Sequence, residues 1–225
     1  NALTLSGVTT TSDIVLNAQN AVTLNGAIQA GFGTVTIAAN RDGGGGQDFI
    51  MNAGSSITTT NATANAVQID VNAAGGGTGD AFLGNITTGS GGTLTVATNT
   101  GGNTTGDDIT QTAGTLLNVG TGTIILTTPS NTASNIGASG APLSTTAGTI
   151  IANAGTNGVF ITESDGATIS ASASGAGPIN IASTTGDLIV NTISTPGGSV
   201  NLSATAGAIQ DGNGGANKVT GASLT

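Results

Sequence analysis

The chain has 225 residues, of which 39 are glycine and only 6% are charged, and its two basic residues stand against eleven acidic ones, a formal charge of −9. Two cations cannot neutralise a phosphate backbone, so the composition excludes nucleic-acid binding and gives no basis for docking on anionic lipid. Cysteine and histidine are absent, which removes disulfides and thiolate chemistry and leaves a hydroxyl nucleophile without its usual base.

The apolar residues are almost all Ala, Val, Ile and Leu, with four Phe and no Trp or Tyr. The β-branched Val, Ile and Thr favour pleated, half-buried surfaces, so the composition predicts an all-β chain. No run approaches the roughly 18 apolar residues that a membrane span needs, so no membrane insertion is expected.

Short strands with apolar residues two apart recur along the whole chain. A first kind begins at Ile14, Val35, Val67, Leu94, Ile124, Ile150, Ile179 and Val200, at intervals of 21 to 32 residues. A closing kind begins at Ile28, Ile57, Ile86, Leu117, Leu143, Ile169 and Ile193, shortly before the next start. Loops absorb the variation while the strands persist, which is typical of solenoids.

The recurrence predicts one parallel β-helix (β-solenoid) over residues 1–225, with about 21–32 residues and three short strands per coil. Its interior is predicted to include Leu16, Ile37, Ile69, Val96, Ile125 or Leu126, and Ile181. Small aliphatic side chains stack between coils without overpacking. Glycines next to the strands, at Gly33, Gly92, Gly122, Gly148 and Gly198, are expected to supply the positive φ of tight corners.

An aspartate follows three glycine-rich turns. Asp48, Asp80 and Asp107 each lie thirteen residues after a strand start, so three consecutive coils are predicted to present a carboxylate at one corner. We interpret these side chains as acceptors of backbone N–H groups in turns. The alternative is a calcium site, because residues 43–51 match one calcium-binding nonapeptide, although the neighbouring turns depart from that pattern.

Catalytic patterns are weak. Asp107 and Asp108 are adjacent, like the paired acids of β-helical polysaccharide hydrolases, but adjacent residues of a strand point to opposite faces. The only two basic residues, Arg41 and Lys218, are far apart in the sequence. The sequence therefore predicts no enzyme and no cofactor.

Several stretches resemble the repeat arrays of filamentous-haemagglutinin-like exoproteins and related large bacterial surface adhesins. They are GSVNLSATAGAIQDGNGGANKVTGASLT (198–225), TIILTTP, GDLIVNTI and DDITQTAGT. The resemblance covers essentially the whole chain. It implies a right-handed β-helix, secretion to the bacterial cell surface, and a role in adhesion or fibre formation.

We therefore expect a segment of a longer repetitive protein that serves as the structural shaft of an extracellular adhesin or biofilm-matrix filament. Its expected partners are continuing coils or further copies stacked end to end. The alternative is a binding module whose outward Thr and Asn ladders or loops contact glycan, ice or a host receptor. Threonine clusters at 9–11, 58–60, 87–88 and 145–146 could form a flat hydroxyl array for ice or glycan, but we interpret them as outward-facing strand residues of high β propensity.

Overall fold

The computed structural model describes residues 1–99, 106–130, 132–215 and 218–225, and within these ranges every regular element is a β-strand. The strands of successive coils pair in parallel from the first coil to the last, with a shift of register after the pair Ile169 and Val190. The predicted parallel β-helix is confirmed.

Three faces build the first coils, each a ladder of strands from successive coils. The first face contains β1 (Leu3–Leu5), β4 (Val22–Leu24), β7 (Phe49–Met51), β10 (Ala81–Leu83), β13 (Ile109–Gln111) and β16 (Asn135–Ile136). The second contains β2 (Val8–Thr9), β5 (Ala27–Gln29), β8 (Ser56–Thr58), β11 (Asn85–Thr87), β14 (Leu117–Asn118) and β17 (Leu143–Thr146).

The third face runs the whole length of the stack. It contains β3 (Ile14–Asn17), β6 (Val35–Ala39), β9 (Val67–Val71), β12 (Thr93–Thr98), β15 (Thr123–Thr127), β18 (Thr149–Ala154), β20 (Ala167–Ala173), β22 (Leu188–Ser194), β24 (Ile209–Asp211) and β25 (Val219–Thr220). At about 4.8 Å per coil, the stack is roughly 40 Å tall.

The first two faces merge in the later coils. Strand β19 (Gly158–Glu163) pairs with β16 at its start and with β17 at its end. It is followed in the same ladder by β21 (Ile179–Ser183), β23 (Ser199–Ala204) and β26 (Ser223–Leu224). These coils therefore consist of two longer strands instead of three, and paired residues there are as few as 18 positions apart, below the predicted range.

This merger makes four strand assignments wrong. Ile179 and Val200 lie in the merged face, while Ile169 and Ile193 lie on the third face. When the corner between the first two faces straightens, the coil keeps a length of about 21 residues, which a three-strand coil can also have. The period therefore does not reveal which strand belongs to which face.

The interior is a continuous aliphatic column. The residues predicted to be inside, Leu16, Ile37, Ile69, Val96, Leu126 and Ile181, are all buried, whereas Ile125 is half-buried on the outer surface. Each stacks on its equivalent in the next coil, as Ile37, Ile69 and Val96 do. Burying such side chains contributes roughly 1.5–3 kcal/mol each, so the stack is held together along its axis.

The corner glycines have a different role from the predicted one. None of Gly33, Gly92, Gly122, Gly148 and Gly198 has a positive φ. Instead, the backbones of successive coils approach so closely that an added Cβ at Gly122 would lie 2.0 Å from the carbonyl oxygen of Gly92. Glycine is required there because nothing larger fits between stacked corners.

Candidate functional site

The corner after the third face is built from three stacked asparagines. Asn40, Asn72 and Asn99 follow paired residues of β6, β9 and β12, and all three have positive φ, between 49° and 57°. They are buried. The Asn40 side-chain amide donates hydrogen bonds to the carbonyl oxygens of Gly44 (2.8 Å) and Thr78 (3.1 Å), so the buried amide holds the glycine-rich loop against the corner.

An aspartate ladder, consisting of Asp48, Asp80 and Asp108, lies where these loops enter the first face. The backbone N–H of Asp80 donates to Asp48 Oδ1 (2.9 Å), and that of Asp108 donates to Asp80 Oδ1 (2.8 Å). Asn135 continues the series by donating its backbone N–H to Asp108 Oδ1 (2.9 Å). Each carboxylate thus caps the equivalent residue of the next coil.

Asp107 does not belong to this ladder, contrary to the sequence prediction. The register pairs Ala81 with Ile109, so Asp108 stands in line with Asp80. Asp107 is instead fully buried, and its Oδ1 accepts a hydrogen bond from the backbone N–H of Gly79 at 2.8 Å. The prediction was wrong by one residue because the stretch from Leu94 to the ladder is one residue longer than the stretches that precede Asp48 and Asp80.

Burial raises the pKa of the carboxyl groups at this corner. The pKa of Asp80 rises to about 6, first because of desolvation and then because Asp108, Asp48 and Asp107 are negatively charged neighbours. Desolvation also raises the pKa of Asp107, against hydrogen bonds from Gly79 and from the amides of Asn99 and Asn72. Desolvation raises the pKa of Asp108 as well.

This arrangement lets the carboxylates act as caps without a metal ion, because one oxygen of each already accepts a backbone N–H. Within the described ranges, no group of three or more acidic, cysteine or histidine side chains is arranged to hold a metal ion. Calcium at Asp48, Asp80 and Asp107 stays the untested alternative to capping, and a chelation experiment tests it.

Glu163 is a buried acid that sequence reasoning missed. It ends β19 and stacks between Thr145 and Ser183 in the interior column, and all three are fully buried. Its carboxylate accepts hydrogen bonds from the Thr145 hydroxyl and from the backbone N–H of Ala147 (3.2 Å). Burial raises its pKa to about 7. The only signal in the sequence is that it is the single glutamate. It stands at a position where the preceding coil has Thr145 and the coils before that have Leu or Ile.

The threonine clusters divide between two roles. Thr59, Thr88 and Thr145 are buried, and the Thr59 hydroxyl donates to the carbonyl oxygen of Gly33 at 2.6 Å. Their neighbours Thr58 and Thr87 face outward. The interpretation of the clusters as outward-facing is therefore wrong at Thr59, Thr88 and Thr145.

Comparison of the chain with protein-family models, with curated proteins and with solved structures found no match. Across the part of the chain that the structure describes, no helix is long and apolar enough to span a bilayer. The class defined by the fold is the parallel β-solenoid, and the haemagglutinin-like resemblance stays a prediction.

Proposed function

We propose that this chain is a structural shaft of an extracellular bacterial adhesin or surface filament, and that it is not an enzyme. The observation that carries the proposal is the continuous axial stack: the aliphatic interior and the backbone ladder run through every coil, with a shift of register within the pairing of β20 and β22. Such quasi-one-dimensional arrays are stabilised between neighbouring repeats, so they extend without changing their local structure.

The coil that contains β24–β26 supports end-to-end stacking. An apolar cavity of about 530 Å³ opens there, lined by Val190, Leu202, Ile209, Val219 and Leu224 among others. Ile209 is 51% and Leu224 is 64% exposed. These side chains belong to the interior column, so a following coil, from the same polypeptide or from another copy, would bury them as the earlier coils bury theirs.

The opposite end is also aliphatic. Leu3, Leu5 and Val8 are only partly buried where they pack on the core. Partly exposed aliphatic residues are thus present at both ends of the stack. Head-to-tail contacts between copies produce an open filament when the copies do not close into a ring. Secretion and surface localisation are part of the proposal and rest on the resemblance of the repeats.

The test is light scattering on the purified chain and on two variants. Ile209→Asp places a charge in the open end, whereas Val15→Asp places the same charge on the outer surface of β3, where Val15 is 60% exposed. We expect concentration-dependent association of the wild-type chain and of the Val15 variant, and loss of association for the Ile209 variant. A monomeric wild-type chain at high concentration, or equal association of all three, contradicts end-to-end stacking.

The alternative function, a binding module, is favoured by one separate feature, a groove on the merged face.

A further inference from the structure

A loop overhangs the sheet where the first two faces merge. Residues 137–142 leave the sheet between β16 and β17, and Ala138 and Ala141 close the loop with two backbone hydrogen bonds of 3.0 and 2.9 Å. The loop begins close beside β19, since a Cβ at Gly137 would be 2.3 Å from the carbonyl oxygen of Phe160. The following coils have no such loop, because β21 and β23 run straight.

The step between the loop and the flat sheet forms an open groove of about 320 Å³, within the range of ligand sites. Ser139 and Pro142 of the loop form one wall. The floor consists of outward side chains in two register columns. One column is Phe160, Asn180 and Asn201, and the other is Thr162, Ala182 and Ser203.

The floor is polar, and its hydrogen-bonding groups are available. No hydrogen bond among the described residues uses the side chains of Thr162, Asn180, Asn201 or Ser203. An asparagine amide both donates and accepts, as does a hydroxyl. No ionisable side chain is among the described residues that line the groove. A ligand bound here gains hydrogen bonds but no ionic contacts.

These properties select the class of ligand. An anion finds no cation in the groove, and a metal ion finds no carboxylate. A peptide strand finds no free sheet edge, because the backbone of β21 is already paired on both sides, with β19 and β23. An apolar ligand would desolvate the two asparagine amides without replacing their hydrogen bonds to water. Neutral, hydroxyl-rich molecules match the groove best.

The spacing of the floor matches a linear sugar chain. The Asn180 and Asn201 amides are one coil, about 4.8 Å, apart along the axis, which is close to the length of one pyranose ring in an extended β-linked chain. At the end next to the loop, the exposed Pro142 supplies an apolar surface for the C–H face of a ring, and the largely buried Phe160 also lines the groove. We propose that this groove binds a neutral, extended glycan along the solenoid axis, with one sugar ring per coil over β19, β21 and β23.

Glycan binding goes beyond the structural role of the shaft. The two proposals are tested separately, since end-to-end association can be absent while the groove binds glycan, and the reverse. The experiment is an NMR titration of the full chain, labelled with ¹⁵N, with three neutral oligosaccharides: cellohexaose, chitohexaose and β-1,4-mannohexaose. An oligogalacturonate of the same length serves as the charged comparison. We expect at least one neutral probe to shift the side-chain amide signals of Asn180 and Asn201, and the galacturonate to bind more weakly.

The variants Asn180→Ala and Asn201→Ala are each expected to weaken binding about tenfold, as the loss of one or two hydrogen bonds to ligand does. Asn17→Ala removes an exposed asparagine from β3 on the third face and should leave affinity unchanged. The proposal is overturned if none of the neutral probes shifts these amides, if the galacturonate binds equally well, or if the Asn17 variant loses as much affinity as the other two.

Discussion

The buried carboxyl of Glu163 should make the solenoid less stable as the pH rises. Its pKa in the folded chain is about 7, against an ordinary value of 4.5, because burial disfavours the charged form. Between these two values the folded chain keeps a proton that the unfolded chain has lost. Stability from this group is therefore complete below pH 4.5 and decreases until about pH 7. The raised pKa corresponds to about 3 kcal/mol.

Glu163→Gln removes the charge and keeps a side chain of the same length. We expect little change in the thermal midpoint at pH 5, where Glu163 is protonated in the folded chain. At pH 8 the variant should melt higher than the wild type by roughly 6–12 °C, since about 1 kcal/mol corresponds to a few degrees in a chain of this size. Circular dichroism of the β-sheet signal measures both midpoints.

Asp42→Asn is the matched control, because Asp42 is an exposed carboxylate in a turn. It should follow the wild type at both pH values. Asp80, with its pKa near 6, keeps a residual pH dependence in every variant. If the Glu163 variant loses as much stability between pH 5 and 8 as the wild type does, the buried carboxyl is not the source and the reasoning is wrong.

Three other perturbations test the stack and its corners. Ile69→Ala should cost about 2–5 kcal/mol of stability in chemical denaturation, whereas Ile125→Ala on the outer surface should cost under about 1 kcal/mol; equal costs contradict the assigned interior. Asn72→Ala should lose about 1–3 kcal/mol of stability, because alanine is strained at positive φ and the hydrogen bond to the Gly77 carbonyl is lost. Asn72→Gly accepts that φ and should lose less. The reverse order would refute the corner assignment. Melts with and without EDTA should coincide, because backbone N–H groups already cap the aspartate ladder; a drop of several degrees with EDTA would establish calcium instead.

The fold class could be predicted from the sequence because the interior repeats with every coil, whereas the merger of two faces could not, because the coil length stays about 21 residues. Residues such as Ile69 recur at a fixed place in a strand, and a period of two within strands identifies the buried side directly. The corners were harder to predict. Gly92 and Gly122 look like positive-φ glycines, but the reason for them is a contact between residues thirty positions apart, which local sequence does not display.

The site residues depended on the same long-range register. The spacing rule placed Asp107 in the ladder, and only the pairing of Ala81 with Ile109 shows that Asp108 belongs there. Glu163 was missed because a lone glutamate gives no pattern. The groove was missed because it needs both the loop at 137–142 and the straight strands of the later coils, which lie apart in the sequence.

The central claim, that coils continue in register from one unit to the next, is tested most directly by cryo-electron microscopy of the associated chain. End-to-end stacking predicts rods of one coil's width, lengthening in steps of roughly 40 Å, with the spacing of about 4.8 Å continuing across each junction. Compact particles, side-by-side clusters or a break in that spacing at the junction would contradict it.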